Sequence, residues 1–257
     1  KDIDIVFHLA ALIAIPFSYH SPDTYIDTNI KGTLNVLQAG RDLGTEKILV
    51  TSTSEVYGTA QFVPITELHP RQPQSPYSAS KIGADCIAES FYRSFNLPVT
   101  IVRPFNTYGP RMRLNDGRAL PAFIGQALRG EDLTVFGDGS QTRSFCYVAD
   151  LVEGIYRLLL SDYAQPVNMG NPDEISLKDF AEEIIQLTGT QQKIVYKPLP
   201  TDDPKQRQPD ITKARELLGW QPSIGRKEGL KITFDYFKSL PAEELYKLPK
   251  EFSKVVK

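Results

Sequence analysis

The chain has 257 residues and a mass of 28.8 kDa, with 29 Lys plus Arg against 31 Asp plus Glu and a formal net charge of −2. That balance offers no basic face to a nucleic-acid backbone, and 41% hydrophobic with 23% charged residues is the composition of a folded globular protein rather than a disordered one. The length fits one large domain, or one and a half. No run of ~18 apolar residues is present, which excludes a transmembrane helix. Two cysteines, Cys86 and Cys146, cannot build a disulfide framework and lack metal-ligand spacing, so a reducing cytoplasm is expected.

The first residues, Lys1-Asp2-Ile3-Asp4-Ile5-Val6-Phe7, are charged and then strand-like, unlike a signal peptide, and carry no initiator methionine. They read as the interior of a protein. Ile3 to Leu9 is a short apolar run of the kind found in a parallel strand covered on both faces. Ser21-Pro22 supplies a helix cap and first-turn proline, and Ile26, Ile30, Leu34 and Leu37 keep helical spacing until Gly44. Lys47 to Thr51 is a second buried strand, Ser52 to Pro76 a long loop, Tyr77 to Phe95 a helix and Val99 to Arg103 a third strand. Strand, helix, strand, helix, strand with short apolar strands predicts right-handed crossovers and a parallel α/β sheet.

After Pro104 the elements shorten. Helices are expected at Ala119–Arg129, Asp150–Leu160, from Ser176 (as N-cap) to Gly189, at Ile211–Leu218 and at Glu228–Leu240; extended segments at Leu133–Phe136, Val167–Met169 and Lys193–Tyr196. The pattern predicts an α/β sheet unit over 1–110, a second lobe over 111–240 with possible returns to the sheet, and a polar tail over 241–257. Trp220 after Gly219 fits a core anchor for a helix end. His8, His20 and His69 are scattered and do not form a metal site.

The strongest local signal is Tyr77-Ser78-Ala79-Ser80-Lys81 at a helix start. Residues four apart share a helix face, and an ammonium beside a phenol favours the phenolate, lowering its pKa from ~10 toward that of a working base. The same spacing also arises by chance on amphipathic helices. Thr51-Ser52-Thr53-Ser54-Glu55 ends the second strand, at the C-terminal edge where doubly wound sheets bind ligands; the bland reading makes these strand-end hydrogen bonders and a solvated charge.

Together with His8-Leu9-Ala10-Ala11, Thr28-Asn29-Ile30-Lys31-Gly32-Thr33 and Arg103-Pro104-Phe105-Asn106-Thr107-Tyr108-Gly109-Pro110, these motifs resemble the extended short-chain dehydrogenase/reductases, in particular the NAD-dependent nucleotide-sugar epimerase/dehydratase family. Gly137-Asp138-Gly139-Ser140-Gln141-Thr142-Arg143 and Arg207-Gln208-Pro209-Asp210 are most similar to the UDP-glucuronate decarboxylases (UDP-xylose synthases) of that family. The resemblance implies a Rossmann-like α/β fold with a smaller C-terminal lobe, an NAD cofactor, a UDP-sugar substrate and a homodimer. It implies catalytic roles for Thr53, Ser54, Glu55, Tyr77, Lys81 and Arg143. Cofactor contacts follow for Leu9, Ala10, Ala11, Asn29, Ser52, Tyr77, Lys81 and Pro104, and substrate contacts for Asn106, Asn115, Arg118, Thr134, Phe136, Arg143 and Arg207.

On that resemblance the reaction runs through a 4-keto sugar, most simply decarboxylation to UDP-xylose, with 4,6-dehydration or 4-epimerisation as alternatives and a catalytically silent binding protein as the rival class. Dehydratases carry an aspartate where this chain has Ser54, which favours decarboxylation; Ala11 to Pro16 and Ser78-Ala79-Ser80 look more like epimerases and dehydratases. The family's opening Gly-rich turn, which holds the cofactor pyrophosphate, is not in the sequence. Ile3 to Leu9 corresponds to a later strand, so the chain is expected to be a fragment that binds NAD weakly.

Overall fold

A computed structural model describes residues 3–114, 117–199 and 205–245. Strand β1 (Ile5–His8) leads through the short helix α1 (Ile15–Ser18) to α2 (Pro22–Tyr25), which runs through a π-helical turn (Ile26–Lys31) into α3 (Gly32–Leu43). Strand β2 (Lys47–Thr51), a 3-10 turn (Ser54–Tyr57), α4 (Pro76–Phe95) and β3 (Val99–Pro104) follow. All pairings in this sheet are parallel, in the order β1-β2-β3 and then β8 (Val167–Met169), which returns to it from the second half of the chain. Ile48, Leu49 and Val50 on β2 and Ile101 and Val102 on β3 are fully or almost fully buried, as their unbroken apolar run requires.

The expectation that β1 is covered on both faces is corrected. Among the described residues β1 pairs only with β2, and Ile5 and Phe7 are each 42% exposed. The N-terminal helix also differs from its simple reading. Ser21 does not cap α2 through its side chain; its hydroxyl instead meets the side chains of Asp23 and Thr24. The π turn inserts an extra residue per turn and swings Asn29 inward, to 1% exposure. At the far end Gly44 closes α3 at φ +68°, where any other residue meets steric strain.

Helix α4 opens on a reciprocal cap, with the Ser75 hydroxyl accepting from the Ser78 N–H and the Ser78 hydroxyl from the Ser75 N–H. Ala88 and Phe91 seal it against Leu37 of α3 and the sheet. Beyond β3 lie β4 (Thr107–Tyr108), α5 (Ala119–Arg129), β5 (Leu133–Phe136), β6 (Thr142–Ser144), β7 (Cys146–Tyr147) and α6 (Val148–Leu160). After β8 come β9 (Glu174–Ser176), α7 (Leu177–Thr188), β10 (Ile194–Lys197), α8 (Thr212–Leu218), α9 (Arg226–Lys238) and the short α10 (Ala242–Leu245). Three two-stranded pairs, β5/β10, β4/β7 and antiparallel β6/β9, organise this half around a second core that includes Phe123, Phe145, Phe180 and Phe237. Trp220 is buried and its indole N–H donates to the Asp150 carbonyl at 2.8 Å, anchoring the end of α8 as expected.

Candidate active site

The C-terminal ends of β1, β2 and β3 deliver, side by side, His8 to Ala10, Thr51 to Glu55 and Pro104 to Asn106. This is the edge at which a parallel α/β sheet opens a crevice. The 3-10 turn after β2 is fixed by Thr53, whose side-chain oxygen accepts the Glu55 N–H at 3.2 Å, and ends at Gly58 with φ +62°. A Cβ there would lie 2.4 Å from the Gln72 carbonyl, so only glycine fits. Tyr77 and Lys81 project from the first two turns of α4 and are 6% and 4% exposed. The Tyr77 hydroxyl is hydrogen-bonded to the Thr53 side chain. The Lys81 ammonium donates to the Thr51 carbonyl at 2.6 Å. Thr53, Tyr77 and Lys81 are thus gathered at one strand end.

The electrostatics correct one expectation. Burial pushes the Tyr77 phenol up to about 12, against the downward pull of its Thr53 hydrogen bond; Glu55 and Tyr25 push it further up and Arg207 draws it down. Burial likewise lowers Lys81, partly opposed by the Asp85 carboxylate. Desolvation disfavours whichever form is charged, and it leads at both groups, with Thr53 and Arg207 opposing it at Tyr77 and Asp85 at Lys81.

Glu55 and Arg207 are in direct contact through a charged hydrogen bond, and Arg207, 3% exposed, also donates to the Gly58 carbonyl at 3.3 Å. Arg143 is on β6, paired with Ile175 of β9, and donates to the Thr142 carbonyl. The guanidinium in contact with Glu55 is that of Arg207. Ser54 is buried at the start of the 3-10 turn.

The segment 9–14, carrying Leu9, Ala10 and Ala11, is tied down by Asn29. Its amide oxygen accepts the Leu12 N–H at 2.9 Å, and its NH2 donates to the Leu12 carbonyl at 3.0 Å and to the Ser80 hydroxyl at 2.9 Å. Ser80 in turn donates to the Tyr77 carbonyl. His8 meets Thr33 at 3.0 Å, and burial and the nearby Lys81 charge lower its pKa. Beside them Thr51 Oγ1 and Ser52 Oγ are buried without a hydrogen-bond partner among the described residues. Two unsatisfied hydroxyls next to a buried ammonium, at the mouth of a parallel sheet, fit a polar ligand the size of a nucleotide cofactor's ribose and ring.

The substrate-side residues are more dispersed. Asn106, half-buried after β3, accepts the Cys146 N–H through its carbonyl. Arg118 precedes α5, and Thr134 and Phe136 lie on β5, where the Thr134 hydroxyl accepts from Gln126. Asn115 lies outside the described residues. Sequence reasoning missed Tyr25, whose ring meets that of Tyr77 edge-on at 6.2 Å between centroids. It also passed over Asp85, one turn beyond Lys81, whose spacing on the same helix face was the available signal.

Both the sequence and the fold match known proteins. The family model described as GDP-mannose 4,6 dehydratase matches residues 1–233. UDP-glucuronic acid decarboxylase 6 of Arabidopsis thaliana is 43% identical over 242 residues, covering 92% of this chain and 70% of that protein. UDP-glucuronic acid decarboxylase 1 of Xenopus tropicalis is 42% identical over 92% of this chain but 57% of its own length. The structure of UDP-glucuronic acid 4-epimerase from Bacillus cereus, in complex with UDP-glucuronic acid and NAD, superposes with a TM-score of 0.86 at 32% identity, covering 92% of this chain and 76% of that one.

Proposed function

Because the chain belongs to the nucleotide-sugar-modifying family whose model is described as GDP-mannose 4,6 dehydratase, we propose that it acts as an NAD-dependent carboxy-lyase on UDP-glucuronate, giving UDP-xylose through a 4-keto sugar. The observation that carries this reading is the Tyr77–Thr53 hydrogen bond set beside the Lys81 ammonium and the Glu55–Arg207 pair in one crevice. NAD, when bound, would supply a cationic ring and a reversible two-electron acceptor, with the hydride lost from C4 returned to the 4-ketone after CO2 has left, so that the overall reaction is redox-neutral.

Tyr77 takes the proton of the sugar C4 hydroxyl, with Thr53 holding its oxygen in line and Lys81 opposing the negative charge that develops. Lys81, Ser52 and the Asn29-anchored segment 9–14 are the residues that would hold the cofactor at this edge. Once C4 is a ketone, the C6 carboxylate is β to it. The C5–C6 bonding pair can then move into the C4 carbonyl as CO2 leaves, and an acid returns a proton to C5. The buried Arg207 guanidinium suits two-point binding of an anionic oxygen pair, and its contact with Glu55 places a proton carrier beside it. Ser54 lacks the acidity that expulsion of a C6 hydroxyl requires, so elimination of water is the disfavoured outcome.

The finer statements belong to the same proposal. The protein works in the cytoplasm as a homodimer, with the exposed Tyr92 and Phe95 of α4 at the contact; light scattering of the purified protein tests the dimer. No helix among the described residues is long and apolar enough to cross a membrane. The decisive experiment incubates the enzyme with NAD and a panel of sugar nucleotides and reads products by mass spectrometry. Release of CO2 from UDP-glucuronate supports the reading, and loss of water or simple isomerisation overturns it. Tyr77→Phe should lower turnover by roughly 10²–10⁴-fold while sugar-nucleotide binding persists, which also separates an enzyme from a silent binding protein.

A further inference from the structure

Beneath the crevice lies a buried charge network that none of the steps above uses. Asp85, fully buried, sits one helical turn after Lys81 on the same face of α4. Its Oδ2 accepts from Arg103 Nε at 3.1 Å and Nη2 at 3.0 Å, while its Oδ1 has no hydrogen-bond partner among the described residues. Arg103, 3% exposed on β3, donates its other arm to the Tyr57 hydroxyl at 3.1 Å. Tyr57 in turn donates to Asn168 Oδ1 of β8 at 2.6 Å, and the Asn168 NH2 donates to the Ile65 carbonyl at 3.0 Å. The network therefore joins α4, which carries Tyr77 and Lys81, to the 3-10 turn that carries Glu55 and to strands β3 and β8.

We propose that Asp85, oriented by Arg103, is the counter-charge that keeps the Lys81 ammonium protonated within the closed crevice, and is thereby a positioning residue for the Tyr77/Lys81 pair. This inference rests on the catalytic reading of that pair but is tested apart from it. Arg103 makes a two-nitrogen clamp on one carboxylate oxygen, which fixes the carboxyl plane and leaves the second oxygen free to act on its neighbours through space. A carboxylate stripped of water and left with an unsatisfied oxygen is destabilising in a merely structural role. Facing a lysine that also lacks water, it offsets the loss of hydration of that cation. The other groups facing the pair do not supply this charge. His8 from β1 is a base whose own proton Lys81 disfavours, Thr51 offers a neutral carbonyl, and Tyr77 is a neutral phenol. Around the far side, Glu89 of α4 lies 4.0 Å from Arg103, and Glu67 accepts the Asn168 N–H.

The test titrates Lys81 directly, by NMR of protein carrying 13C,15N-lysine, with assignment by Lys81→Met. Asp85→Asn keeps the shape and removes the charge, and it should lower the Lys81 midpoint by about one pH unit or more, with Asp85→Glu restoring it. If Asp85→Asn does not fold with Arg103 left unpaired, the double variant Asp85→Asn/Arg103→Gln is compared with Arg103→Gln alone, and its Lys81 midpoint should be the lower of the two. A Lys81 midpoint unmoved in a folded variant overturns the proposal. In the active enzyme the alkaline limb of the kcat/KM profile should move down with the Lys81 midpoint, whereas a purely structural defect lowers activity equally at every pH. A moved midpoint without any sugar-nucleotide turnover would sink the function proposed above and leave this inference standing.

Discussion

Asn29→Ala is the sharpest test of how the crevice is held, because one side chain fastens segment 9–14 to the catalytic helix. The substitution deletes three hydrogen bonds, two to the backbone of Leu12 and one to Ser80. At about 0.5–1.5 kcal/mol net for each, the sum is roughly 1.5–4.5 kcal/mol. Leu12 is half-buried, so its backbone groups recover part of this from water, and Ser80 keeps its bond to the Tyr77 carbonyl. These corrections place the expected loss at about 1–3 kcal/mol, or roughly 2–4 °C in Tm for each kcal/mol. Urea unfolding followed by Trp220, the single tryptophan, gives the value directly, with an unchanged slope showing that the unfolded state is unaffected. Asp27→Ala serves as the control on the same turn, since its ion pair with Lys31 is exposed on both sides and should contribute less than about 0.5 kcal/mol. A loss below about 1 kcal/mol for Asn29→Ala, or one no larger than the control, would refute the claim that this amide anchors the segment.

Three further outcomes follow from particular contacts. Gly154→Val drives its new carbons into Trp220 and Met169, where a Cβ already falls 2.8 Å from Trp220 Cε2 and 2.9 Å from the Met169 sulfur; thermal melts should show a loss of about 1–3 kcal/mol, and an unchanged Tm contradicts the packing. His8 has its pKa lowered by burial and by Lys81, so the unfolded chain takes up a proton first as pH falls below ~6.5, and stability is lost on going from pH 7.5 toward 5.5. The drop in Tm over that range should be smaller in His8→Gln, and an equal drop removes His8 from the acid response. Cys146 is buried with its thiol pushed up to about 12 by burial, whereas Cys86 is exposed. A thiol reagent counted by mass spectrometry should add once to the native protein and twice in denaturant, and two additions in the native state would show the core around Val102, Met169 and Trp220 open.

How much of this could be read beforehand divides along physical lines. β2 and β3 were legible because strands buried on both faces have to be apolar throughout, and Ile48-Leu49-Val50 is. The same reasoning misjudged β1: apolar content reports what a strand is made of, while its coverage depends on what packs against it, and Ile5 and Phe7 are exposed. Helix α5 was legible to the residue from its spacing and terminal glycine. The π turn that swings Asn29 inward was not, because a single added residue leaves no trace in a helical period. β4, β6, β7 and β9 have two or three residues each, too few to show alternation. In the site, the sequence singled out Thr53, Tyr77 and Lys81, which the fold gathers at the end of β2, while the contact between Arg207 and Glu55 was not legible, because 152 positions separate them in the chain.

The correction at Tyr77 changes how the pair should be understood. Burial raises the phenol to about 12 and lowers the ammonium, so the dry crevice opposes both charged forms at once. A standing phenolate–ammonium pair is therefore not what this packing favours. What opposes the burial is specific and local: the Thr53 hydrogen bond and Arg207 on the tyrosine side, and Asp85 on the lysine side. In the proposed reaction the Tyr77 phenol, protonated at rest, must give up its own proton before it can take that of the C4 hydroxyl, and the phenolate formed then is met by the Lys81 ammonium, with Asp85 proposed as its counter-charge. A site built this way depends less on the helical spacing of Tyr77 and Lys81, which many helices share, than on the carboxylate one turn further along.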